Sequence, residues 1–296
     1  MPLVTPWSRF VQRRADSAAW QRWTCLGLLA PTALVAATTD AGFLANLLLI
    51  IVSALAADAI AAWLRGISPG AVLADYSALS FALMFALTLA AEAPWWLGMS
   101  GAVFGLFIAK QAFGGHGEYL FQPLAAAYVF TRLGFPEFSG PSLMDTATAA
   151  LCADIPATAL IALALLTGAL PLLILKAVDW RIPGVVFLTL ILSLALSRSI
   201  DPPLWAFNTI IFTAQPSLLL VILFVATDPV TSPVTARGRS LFALLIALPM
   251  AVGAWTVDLT TAMAIVLLAN FLTPLIDLMC RPRIFGHQNR GSVFLD

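Results

Sequence analysis

FLANLLLIIVSALAADAIAAWL, residues 43 to 64, decides the fold class. Its 22 residues hold one charge, Asp58, and no glycine or proline. A helix of that length rises about 33 Å, enough to cross the roughly 30 Å hydrocarbon core of a bilayer. Working outward, similar apolar runs fall at 24 to 40, 76 to 92, 94 to 112, 118 to 133, 156 to 177, 181 to 198, 208 to 227, 239 to 256 and 259 to 279. The fold expected is therefore an all-α membrane protein of about ten transmembrane helices. Two of the runs are interrupted, one by Gln122-Pro123 and one by Asn208, Gln215 and Pro216. Breaks of that kind are tolerated at membrane depth only where protein or a polar cavity supplies hydrogen-bond partners.

Composition agrees. Of 296 residues, 61% are hydrophobic and 10% charged, more apolar surface than one soluble core of this length buries. The formal net charge is zero, so no global field points to nucleic acid. The partner expected first is membrane lipid. Cys25, Cys152 and Cys280 form no C-x-x-C pair, which argues against a zinc site or iron–sulfur cluster within the chain. His116 in a loop and His287 in the tail cannot supply the paired intramembrane ligands of a b-type haem, so no haem is expected.

Charge position sets the orientation. Placing residues 1–23 in the cytoplasm, as an arm with Trp20 and Trp23 at the headgroup level, puts thirteen of the fifteen arginines and lysines on the cytoplasmic side and leaves only Arg132 and Arg198 outside. Both termini are then cytoplasmic in a multi-pass protein of the bacterial inner membrane. The chain divides into the arm 1–23, five spans over 24–133, an external linker 134–155, five spans over 156–279 and a cytoplasmic tail 280–296. Five spans per half is an odd number, which sets the halves in opposite orientations, as in inverted-repeat transporters.

Two loops concentrate polar chemistry. AKQAFGGHGEYLFQPLAAAYVF, residues 109 to 130, sets Lys110 before Gly114, Gly115 and Gly117, and Phe121, Gln122 and Pro123 where the next helix opens. The glycines permit backbone conformations closed to other residues. The segment reads either as a ligand cradle at a helix N-terminus or as a tight re-entrant turn. FVATDPVTSPVTARGRSLF, residues 224 to 242, gathers Thr227, Asp228, Thr231 and Ser232 at the membrane boundary, with Pro229 and Pro233 stiffening the turn, and reads by itself as a solvated loop. Asp58 lies inside the second span and Asp75 nearer its cytoplasmic edge. An ionisable group in hydrocarbon costs roughly 3 kcal/mol on insertion scales, so both are ion-path candidates, the alternative for Asp58 being a place near the interface.

Together these segments resemble the RnfD/NqrB family, the flavin-carrying membrane subunits of Rnf and sodium-pumping NADH:quinone oxidoreductase complexes. The likeness extends through EAPWWLGMSGAVFGLFIAKQ at 92 to 111, WRIPGVVFL at 180 to 188, TDPVTSP at 227 to 233 and NFLTPLIDLMCRPRIFGH at 270 to 287, with RnfD the closer form. The resemblance implies two inverted five-helix repeats similar to urea and ammonium channels. It also implies a place in an ion-coupled electron path, beside other Rnf-like membrane subunits and flavin or iron–sulfur subunits. The cofactor it implies is flavin, FMN or riboflavin, held by Lys110, the glycines, Phe121 to Pro123 and the 227 to 231 turn.

The chain departs from the family at the external flavinylation motif, D-x-x-S/T-G-A-T, whose last threonine carries FMN. The stretch here is Asp145-Thr146-Ala147-Thr148-Ala149-Ala150-Leu151. Aligned on the aspartate, Leu151 takes the acceptor position and has no hydroxyl to bond. A shifted register makes Thr148 the acceptor, at the cost of the residues before it. The first register implies flavin held non-covalently, the second covalent FMN at Thr148. After loss of the covalent bond, a solute channel or transporter, or a scaffold subunit, remains an alternative on the same fold.

Overall fold

Backbone groups leaving water must find partners in the chain, and in hydrocarbon only helices and closed barrels satisfy every one. The computed structural model takes the helical solution. It describes residues 8–39, 41–90, 92–138, 140, 142–144, 156–197, 215–252 and 258–280. The linker motif at 145–151 with Thr148, the start of the eighth run and the tail from 281 lie outside the described residues.

In chain order the helices are α1 Ser8–Thr38, α2 Ala41–Leu64, α3 Pro69–Leu73, α4 Ser77–Thr88, α5 Trp95–Val103, α6 Pro123–Gly134, α7 Pro156–Ile174, α8 Arg181–Ser197, α9 Pro216–Leu220, α10 Ala236–Val252 and α11 Leu259–Met279. Two of them widen into π-helical turns, α5 into Phe104–Lys110 and α9 into Val221–Val225. Among the described residues the only extended pairing is one bridge between Ala90 and Ser142. The chain is an all-helical membrane protein, and three of its described helices are long and apolar enough to cross a bilayer: Gly42–Leu64, Trp95–Phe113 and Leu259–Met279.

Some bounds differ from those read in the sequence. The first helix begins at Ser8, so no break separates an arm from the first apolar run at residue 24. Trp20 is buried inside the bundle at 1% exposure, while Trp23 stays exposed. The fifth helix opens at Pro123, not 118, because Pro123 occupies its first turn and the Gln122 side chain caps it by accepting from Ala125 N at 2.9 Å.

Two short segments fill the centre. Every residue of α4 except Leu79 is buried, as is every residue from Pro216 to Val225. At about 18 and 15 Å they are shorter than a bilayer core, so neither meets lipid as a full span. Phe81 and Phe85 stack on one face of α4 with centroids 5.4 Å apart, and Ser80 and Thr88 turn their hydroxyls onto carbonyls one turn back. Around this centre α1 packs on α4 and α7, α2 on α4 and α5, α6 on α5 and α11, α7 on α9, and α10 on α8 and α11.

The α1–α7 crossing depends on two glycines. A Cβ built at Gly27 falls on the carbonyl of Gly168, and one built at Gly168 falls on the carbonyl of Gly27. Pro31 has no N–H to give the Gly27 carbonyl its usual helical bond, so that oxygen faces Gly168 instead. Small residues at such a crossing let backbones approach where apolar driving force between helices is absent. Gly168→Val is therefore expected to lower the melting temperature in detergent, at a cost of about 1–3 kcal/mol. Gly42→Ala, where a Cβ meets nothing within 4 Å, is the neutral control; an unchanged melting point for Gly168→Val contradicts the crossing.

Candidate functional site

Lys110 ends the π-helical turn that prolongs α5, and Gln111 follows it. Both are buried, Lys110 at 1% and Gln111 at 3% exposure, although an α-helix would set neighbouring side chains about 100° apart. The Lys110 ammonium donates to both oxygens of Asp58, at 3.0 Å to Oδ1 and 2.7 Å to Oδ2. Asp58 is itself fully buried on α2 and also accepts from Gln111 Nε2 at 2.6 Å. A carboxylate with three such bonds and a partner cation answers the cost of leaving water.

The network continues in both directions. Arg65 donates to Gln111 Oε1 at 2.6 Å and to the Gly114 carbonyl at 2.5 Å, bracing the glycine loop from the end of α2. Gly114, Gly115 and Gly117 all have positive φ, and Gly115 sits where a Cβ would strike the Arg65 guanidinium. Lys110 also donates to Ser77 Oγ at 2.6 Å, and the Ser77 hydroxyl donates to Asp75 Oδ1 at 2.5 Å. Asp75 Oδ2 lies 3.9 Å from His116 Nδ1. Asp58 and Asp75, 17 positions apart, are thus joined through Lys110 and Ser77.

A second buried pair closes the site from the other half of the chain. The Tyr119 phenol donates to Asp228 Oδ2 at 2.9 Å, and Asp228 Oδ1 accepts from Val230 N at 3.0 Å. Lys110, Tyr119, Gln122, Pro123, Ser77 and Asp228 line one cavity of about 20 Å³. The glycine loop and the TDPVTSP turn therefore converge on one cavity, a meeting that the sequence reading did not state. The volume holds a single water. A flavin needs a pocket in the range of roughly 300–1,000 Å³, so the residues gathered here do not fit that cofactor.

Other candidates face elsewhere. Phe121 meets Phe113 edge-on at 6.0 Å. Thr227 turns its hydroxyl onto the Leu223 carbonyl at 2.6 Å and lines a separate cavity of about 340 Å³ with Ser232, Asp179 and Arg239. The Thr231 carbonyl accepts from Thr273 on α11 at 3.1 Å. Asp179, in the α7–α8 connection, is raised by partial burial but more strongly held down by the Arg181 N–H and the guanidinium groups of Arg239 and Arg181, leaving its carboxyl below the usual range. Ser77, Gln111 and the Tyr119 hydroxyl escaped the sequence reading. Only the adjacency of Gln111 to Lys110 signalled any of them.

Removing one member of the pair strands the other. Asp58→Asn is expected to destabilise the solubilised protein by about 3–5 kcal/mol, whereas Asp58→Asn with Lys110→Met recovers much of that loss. Thermal melts of the two singles and the double test this; a double variant no better than the singles contradicts a coupled buried pair.

Comparison with known proteins places the chain. A family model described as the NQR2, RnfD, RnfE family matches residues 4–286. Among similar proteins, one from Stutzerimonas stutzeri is 32% identical over 303 aligned residues, covering 83% of this chain and 85% of its own length. One from Halorhodospira halophila is 31% identical with the same coverage. One from Escherichia coli strain SE11 is 32% identical, covering 83% of this chain and 88% of its own length. All three are named as subunits of an ion-translocating oxidoreductase complex, of the RnfD type. A match running from residue 4 to 286, through both loops that meet at Lys110 and Asp228, means that the chain belongs to the NQR2, RnfD, RnfE family.

Proposed function

We propose that this chain is the RnfD-like membrane subunit of an ion-coupled electron transport complex in the bacterial inner membrane. It works beside other Rnf-like membrane subunits and flavin or iron–sulfur subunits. The observation that carries the reading is the chain of polar groups from buried Asp58, Lys110 and Ser77 to the partly buried Asp75, in a protein whose relatives are named for ion translocation.

The fold reading that goes with it is ten spans in two inverted halves, 24–133 and 156–279, with both termini cytoplasmic. Packing supports it. The α1–α4, α2–α5 and α5–α6 contacts recur as α7–α9, α8–α10 and α10–α11, and α1–α7 and α6–α11 join corresponding members of the two halves. The reciprocal glycine contact between α1 and α7 is what an approximate two-fold axis produces.

Asp58 and Asp75 are assigned to the ion path, with a proton as the ion the geometry suits. Lys110 Nζ passes a proton to Asp58, leaving a neutral pair. Nζ takes that proton back when the ion pair re-forms, and its bond to Ser77 Oγ links the pair to Asp75 and the His116 side. Both states of the pair, ion pair and neutral pair, leave no unpaired charge in the bundle. Flavin, FMN or riboflavin held non-covalently, stays in the reading as the electron carrier, whose role is electron transfer. No electron step is assigned to the 20 Å³ cavity. A solute channel on the same fold is the competing reading, and the filled centre around α4 and 216–225 weighs against it.

Tagged full-length protein purified from its native membrane in mild detergent is expected to bring flavin and iron–sulfur subunits with it, with flavin absorbance released on denaturation. A colourless chain recovered alone sinks the reading. In proteoliposomes of the assembled complex, Ser77→Ala should cut ion movement per electron by about tenfold or more while sparing electron transfer; equal loss of both removes Ser77 from the ion path.

A further inference from the structure

The larger cavity, about 340 Å³, opens between the α7–α8 connection and the start of α10. Its size falls at the lower end of ligand sites, and its lining carries Lys176, Arg181 and Arg239 against the single carboxylate of Asp179. Arg239 reaches Asp179 Oδ2 at 2.6 Å and Arg181 reaches the same oxygen at 3.3 Å. One carboxylate offsets one cation, so two positive charges remain among the lining residues.

Lys176 is the telling member. It ends α7 with φ of 54°, and its N–H closes the helix onto the Leu173 carbonyl at 3.1 Å. Glycine is the residue that this left-handed position favours, because a Cβ there meets steric resistance. Lysine contributes only its side chain in exchange, and that side chain lines the cavity with no hydrogen-bond or ion-pair partner among the described residues. Lys176 is exposed, so its ammonium is open to an anion, and strain kept at a helix end to hold it there calls for a functional reason.

The rim says what kind of anion fits. Ile174 and Trp180 are each 68% exposed and Leu175 53%, an apolar edge flanking the cations where α7 ends and α8 begins. Trp180 carries the Arg181 guanidinium 5.9 Å from its ring centroid. Aromatic and cationic residues together at a helix end mark the membrane interface, and basic pockets between transmembrane helices take phosphate headgroups. A soluble phosphate has no use for the aliphatic rim; a lipid fills both parts.

We propose that this cavity binds the phosphate headgroup of an anionic membrane lipid, with Lys176, Arg181 and Arg239 as its cation set and its acyl chains lying along Ile174, Leu175 and Trp180. Arg239 also donates from Nε to the Pro233 carbonyl at 3.0 Å, so a bound lipid braces the TDPVTSP turn that carries Asp228.

Titration of phosphatidylglycerol into the full-length protein in a nonionic detergent, read as a melting shift and by native mass spectrometry, tests this. Wild type is expected to bind phosphatidylglycerol in preference to phosphatidylcholine. Lys176→Gly should weaken phosphatidylglycerol about fivefold, the value of one surface cation, while its melting point without lipid stays equal or rises because glycine relaxes the helix end. Lys176→Arg should keep the affinity. Equal binding by wild type and Lys176→Gly overturns the proposal, as does equal binding of the two lipids. Inorganic phosphate that reproduces the melting shift and displaces the lipid would assign the cavity to a soluble anion and likewise overturn it.

Discussion

The structure depends on neutralising a charge inside an apolar bundle. Lys110 and Asp58 are 1% and 0% exposed, and neither charge is tolerable there alone. Their contact fixes the end of the π-helical extension of α5 against α2, and Ser77 fixes it against the start of α4. Three helices are thus locked by one ammonium group. Arg65 extends the lock to the glycine loop through Gln111 and the Gly114 carbonyl, so the loop's positive-φ turns are held in place by charge-assisted bonds.

That lock is placed where regular helix stops. Both π-helical turns, Phe104–Lys110 and Val221–Val225, lead directly into the polar loops that meet at the small cavity. π-turns are rare and collect at functional sites because they re-aim side chains that an α-helix would send to different faces. Here the result is that Lys110 and Gln111, neighbours in sequence, bond the same Asp58 oxygen. Across the cavity Tyr119 and Asp228 form an equally buried pair, so two polar pairs face one another through room for one water.

Packing around the centre follows from size. Residues 216–225 and all of α4 except Leu79 are enclosed because longer helices surround them, and Gly27 and Gly168 let two of those helices touch backbone to backbone. Lipid-facing surfaces carry the large aliphatic side chains instead, as at Leu48, Val52 and Ile60 on α2. One helix therefore serves both solvents, with Asp58 inward and an apolar face outward.

The sequence by itself determined the membrane class, the helical fold and the family, because bilayer thickness writes itself into runs such as 43–64 and the loop motifs keep their order. It also singled out Asp58 and Asp75 for an ion path and, through the resemblance, Lys110, Gln122 and Asp228 for a cofactor, two separate sets that nothing in the sequence joined. The span starts at Ser8 and Pro123 were not legible, because hydropathy marks where apolar character begins and capping marks where helix begins. Only the tertiary structure decided that Lys110 pairs with Asp58 across 52 positions, that Ser77 joins it to Asp75, and that Tyr119 meets Asp228 across 109. Which buried polar groups become partners depends on how the helices cross, and crossings are set by long-range packing that no local pattern records.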